Sequence, residues 1–190
     1  PGRMVRASDF DGKLNEKNNP EWKTVCFDEK TGNVTVPTGS IGFRWGEEGK
    51  WNIVPTDAGT GESIRPRKTL MGAHDEIVKV GFPYFGGIEN EYWTESKFDE
   101  VLERNIPVKR LQLADGQEWA VATVYDLLLA QYGLDRGFGG GHVAADYNAM
   151  VPGTPAWAEA ITGVPRAQIV ELAREFARTA DKTRGRSMII

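Results

Sequence analysis

The sequence predicts a mixed α/β chain of the α+β kind, β-hairpin-rich in its N-terminal part, with helices and the start of an α/β unit at the C-terminal end. Three observations carry this. Short apolar, β-branched runs bracket glycine-containing turns up to residue 54. Helical spacing with recognisable start and stop residues takes over beyond residue 120. The chain then runs from a helical pattern into "SMII" (residues 187–190), an apolar, partly β-branched stretch with no turn residue, which reads as a strand just beginning.

Element by element, "WKTVCF" (22–27) and "NVTVP" (33–37) flank "DEKTG", whose Gly32 can supply the positive φ of a hairpin loop. "SIGFRW" (40–45) and "KWNIV" (50–54) flank "GEEG" and predict a second hairpin, with Trp45 and Trp51 near one another. Residues 55–68 are polar, glycine-rich and broken by proline, and predict a mobile loop. "HDEIVKVGF" (74–82) alternates as a half-buried strand does, and "PYFGG" then turns the chain. In "TESKFDEVLERN" (94–105), Phe98, Val101 and Leu102 fall at helical spacing behind an N-cap at Thr94, so a helix is expected there. "VKRLQLADGQEWAVAT" (108–123) is a hairpin pattern joined at "ADG". "TVYDLLLAQYG" (123–133) predicts a helix closed by Gly133.

After the glycine-rich connection 135–150, Thr154 and Pro155 open a short helix that stops near Gly163. Pro165 opens a longer one, "PRAQIVELAREFARTA" (165–180), with Ile169, Leu172, Ala173 and Phe176 forming an apolar stripe. Burying Ile169, Leu172 and Phe176 is worth roughly 1.5–3 kcal/mol each, so a neighbouring sheet or helix is expected to receive them.

Composition narrows the function. At 40% apolar and 26% charged residues the balance is globular. A net charge of −4 argues against a nucleic-acid surface, and the short basic run Arg65, Arg67, Lys68 reads as a solvated loop. Cys26 is the single cysteine, so a disulfide framework, a cysteine-rich zinc site and an iron–sulfur cluster are all excluded. No apolar run approaches the ~20 residues of a membrane-spanning helix. "PGRM" opens no signal-peptide pattern, and both ends read as cut.

Motifs that suggest chemistry each have a plainer account. "GTGESI" (59–64) and "GFGGGH" (137–142) lack the strand, helix and Lys-Ser/Thr context of phosphate-binding loops and read as ordinary loops. His74, next to Asp75 and Glu76, and His142 have no metal-ligand spacing. Asp99, Glu100 and Glu103 fall on the outer face of the expected helix. Glu171 and Glu175 do the same on the last one, where Arg174 and Arg178 can pair with them. Trp22, Trp45, Trp51 and Trp93 suit packing better than a sugar-stacking platform. No catalytic, cofactor-binding or metal-binding residue is identified.

The wording of several stretches carries a resemblance. "TPAWAEAITGVPRAQIVELAREFA" (154–177) resembles a helix–turn–helix stretch of the molybdopterin oxidoreductase superfamily. "NEKNNPEWKTV", "GSIGFRWGEEGKWN", "DEIVKVGFPYFGG", "PVKRLQLADG" and "TVYDLLLAQYGL" are similar to the catalytic alpha subunits of membrane-bound respiratory nitrate reductases, from one end of the chain to the other. The resemblance implies an internal segment of a longer subunit. The parent enzyme would reduce nitrate to nitrite in anaerobic respiration at a molybdenum bis(molybdopterin guanine dinucleotide) centre, and would hold one [4Fe-4S] cluster. It further implies an iron–sulfur beta subunit and a haem-bearing membrane subunit as partners, and a place on the cytoplasmic face of the cell membrane. The family's cofactor ligands fall outside the matched stretches, so the segment is expected to be an inactive scaffold.

On this reading residues 1–68 form a β-hairpin-rich region with its loop at 55–68. Residues 69–190 form a mixed α/β region leading into the truncated strand, the whole being one compact unit cut from the larger subunit. Two rival readings are a subunit-interaction module centred on residues 22–54 and a carbohydrate-binding domain. An apolar seam around Ile169, Phe176, Ile189 and Ile190 would favour self-association of the isolated chain.

Overall fold

A computed structural model describes residues 2–10, 23–37, 55–83, 101–141, 143–183 and 187. The elements are β1 (Cys26–Phe27), β2 (Val34–Thr35), β3 (Glu76–Pro83), β4 (Val101–Gln112), β5 (Glu118–Val121), α1 (Val124–Gln131), α2 (Pro155–Thr162) and α3 (Arg166–Thr183), after a 3-10 turn at Ala7–Asp9. They make the expected mixed α/β chain, with β1 and β2 paired in one sheet and a second sheet in the order β3-β4-β5. The chain divides into two compact units, Pro1–Ile77 with Pro107–Asp126, and Val78–Ile106 with Leu127–Ile190.

In the first unit, β1 and β2 pair antiparallel, Cys26 opposite Thr35 and Phe27 opposite Val34. Gly32 closes the loop at φ 73°, and its N–H donates to the Asp28 carbonyl at 2.8 Å. Residues 55–67 are laid along this hairpin and held by two aspartates. The Asp28 carboxylate accepts from the Arg65 N–H at 2.8 Å and from the Thr31 hydroxyl at 3.0 Å. Asp57 accepts from the N–H groups of Gly59 and Thr60 at 2.9 and 2.8 Å, and from the Thr35 hydroxyl. Val36, Ile64 and Leu70 are buried here. The β4–β5 hairpin runs in register from Lys109 opposite Val121 to Gln112 opposite Glu118, with Gly116 at φ 81° in its turn. Arg3 makes a two-pronged pair with Asp9 at 2.6 and 2.7 Å and lies 4.5 Å over the Trp119 ring.

In the second unit α2 starts and stops as its sequence dictates. The Thr154 hydroxyl accepts from the Trp157 N–H at 3.1 Å, Pro155 fills the first turn, and Gly163 closes at φ 74°. Arg166 joins Glu159 at 2.5 Å and Asn148 at 3.1 Å. Leu102, Ile106, Ala130 and Ala156 are buried. Arg104 is buried too, at 3% exposure. Its guanidinium donates to the carbonyls of Ala130 and Gln131, each at 2.6 Å, and to that of Gly141 at 3.2 Å. Gly140, at φ 121°, lies where an added Cβ would come within 3.0 Å of the Arg104 Cα, so only glycine lets the backbone approach this closely.

Two expectations are corrected. The helix expected over 94–105 is instead strand from Val101 onward. On β4, Leu102, Arg104, Ile106 and Val108 are all buried, a period of two. The arginine in that set reads as polar and conceals the alternation, so the helical spacing of Val101 and Leu102 was misleading. Glu103 accordingly sits on a strand, paired with Lys79 at 3.1 Å. The stripe on α3 is helical as expected, but no residue of that helix is buried. The second hairpin, the turn residues 84–87, residues 94–100, the four tryptophans weighed for stacking, His142 and the strand at 188–190 lie outside the described residues.

Acid should loosen the first unit. The Arg65 N–H lowers the Asp28 pKa more than burial raises it. For Asp57, burial pushes upward but the Thr35 hydroxyl and three backbone N–H groups outweigh it, leaving the pKa below 3.8. With folded values depressed, the unfolded chain takes up protons first as pH falls. The stabilisation is therefore complete above about pH 5 and lost as pH drops through about 4 towards the folded values. Urea titrations from pH 7 to 3 should show that loss, and Asp57→Asn should make it smaller, leaving the Asp28 part, while costing about 1–2 kcal/mol at pH 7. Arg104→Met leaves three carbonyls without this donor and should cost about 3 kcal/mol in the same titration at pH 7.

Candidate functional site

The residues that attracted attention in the sequence are each tied into the fold. Asp75 and Glu76 enter β3 beside His74 but face basic partners from β4. The Asp75 carboxylate accepts from the Arg110 N–H at 2.9 Å and lies 3.6 Å from the Lys109 ammonium. That N–H is the main cause of its lowered pKa, burial acting against it and Lys109 adding to it. Glu76 meets the Arg110 guanidinium at 2.5 Å. The His74 Nδ1 lies 3.2 Å from the Leu70 carbonyl oxygen. A divalent cation would have to displace these bonds. Among the described residues no three of His, Cys, Asp or Glu gather as a metal set.

In both glycine-rich stretches the described backbone donors are spent internally. A phosphate cradle works by turning several backbone N–H groups towards one anion. Around residues 57–64 those of Gly59 and Thr60 point instead at Asp57, and that of Gly61 at the Asp57 carbonyl at 2.9 Å. Further along, the Gly137 N–H bonds Asp135 at 2.8 Å and the Gly141 N–H bonds the Glu103 carbonyl at 3.0 Å.

The Cys26 thiol is pushed up to about 11, first by burial and then by the charges of Asp28 and Asp57. A thiol held protonated is a poor nucleophile and a poor metal ligand at neutral pH. Beside Arg104 lies a recess lined by Asn105, Leu134, Arg136, Phe138 and Val143, with about 10 Å³ of space. That is room for about one water molecule, too little for a substrate. Asn105 within it donates to the Phe138 carbonyl at 2.7 Å.

The groups that sequence reasoning passed over are Asp28, Asp57, Asp126 and Arg104. Asp126 has no exposed surface. It accepts from the Thr69 hydroxyl at 2.6 Å, the Leu70 N–H at 2.8 Å and the Thr123 hydroxyl at 2.7 Å. A turn signature is visible at Asp28 and Asp57, each followed by Thr and Gly. Nothing local marks the other two. In the bonds described, all four meet backbone groups and threonine hydroxyls. Their arrangement positions segments of chain.

No family model matches the chain. Curated proteins do. It is 55% identical over 189 residues to the respiratory nitrate reductase 1 alpha chain of Escherichia coli (strain K12), across 100% of this chain and 15% of that protein. Identity is 56% over 190 residues to the respiratory nitrate reductase 2 alpha chain of the same organism, with the same shares covered. It is 41% over 189 residues to the nitrate reductase alpha chain of Bacillus subtilis (strain 168), covering 100% of this chain and 14% of that one. The chain thus spans about 15% of the length of the curated relatives it matches. Along its whole length it is homologous to a stretch of the respiratory nitrate reductase alpha chains.

Proposed function

We propose that this chain is a scaffold segment of the alpha subunit of a respiratory nitrate reductase, an oxidoreductase that converts nitrate to nitrite during anaerobic respiration. The observation that carries it is the 55% identity sustained over all of this chain to a protein bearing that name. The scaffold role draws on a second observation: the buried polar side chains serve the fold's own backbone. The parent enzyme on this reading contains a molybdenum bis(molybdopterin guanine dinucleotide) centre and a [4Fe-4S] cluster, which supply the two-electron chemistry and the electron relay.

The residues of this chain do not fit as holders of the cluster. Four thiolates are needed, and the chain has one cysteine, kept protonated by its surroundings. We assign no molybdenum ligand to it either. What it contributes is a wall of fixed shape in the catalytic subunit. An iron–sulfur beta subunit and a haem-bearing membrane subunit complete the assembly on this reading, and seat it on the cytoplasmic face of the membrane.

Full-length alpha chain containing this sequence, made in cells supplied with molybdate, should produce nitrite from nitrate with reduced viologen. It should lose that activity when tungstate replaces molybdate. The isolated 190-residue chain should produce none. Nitrite from the isolated chain would overturn the scaffold role, and none from the molybdate-grown full-length protein would overturn the enzyme assignment.

A further inference from the structure

We draw no further inference here: the strongest candidate, the recess beside Arg104 in the second unit, has room for about one water molecule, and the described donors of Arg104 and Asn105 that line it already go to backbone carbonyls of the fold.

Discussion

Helix α1 is held at each end by a buried polar side chain of the matching sign, Asp126 within the first unit and Arg104 within the second. Asp126 stands in its first turn, where the helix dipole is positive and N–H groups lack partners. Arg104 donates to the last carbonyls, where the dipole is negative. Neither charge is exposed enough to be stabilised by water. Each is tolerable because several hydrogen bonds replace that water. The helix has only eight residues, too few to be stable by propensity alone. Its ends are fixed by partners far away in sequence: Leu70 lies 56 residues before Asp126, and Arg104 lies 27 before Gln131.

The same constraint recurs in the first unit. Long irregular backbone must find partners for peptide groups that no ladder or helix satisfies. Asp28 and Asp57 supply them to residues 57–65, which would otherwise be a long loop with a large entropy to lose. One carboxylate accepting several N–H groups can organise such a stretch without adding to the apolar core. That economy suits this chain. Among its described residues, the large apolar side chains left exposed outnumber the apolar side chains that are buried.

What was legible in the sequence was local. The Gly32 turn, the Thr154 cap with its Gly163 stop and the closing of α1 at Gly133 rest on backbone rules that act within a few residues. The first half of β4 was not legible, because Arg104 occupies a position where alternation calls for an apolar side chain. The stripe on α3 was visible as a period, but a period states which face seeks cover and not whether the cover is present. For the site, the single cysteine limits this chain to at most one thiolate ligand. Asp126 and Arg104 gave no signal, since their burial is decided by residues tens of positions away.

The contacts also show where the described polar groups of this chain are spent. A side chain can serve a substrate only if its donors or acceptors are open, or are released at small cost. Here the described donors of two glycine-rich turns go to Asp57, to Asp135 and to the Glu103 carbonyl, the acids beside His74 face Arg110 and Lys109, and the Cys26 proton is held by burial and neighbouring negative charge. Releasing any of them would undo the contact that fixes its own segment. Rigidity and reactivity draw on the same polar groups, and in this chain they have gone to rigidity.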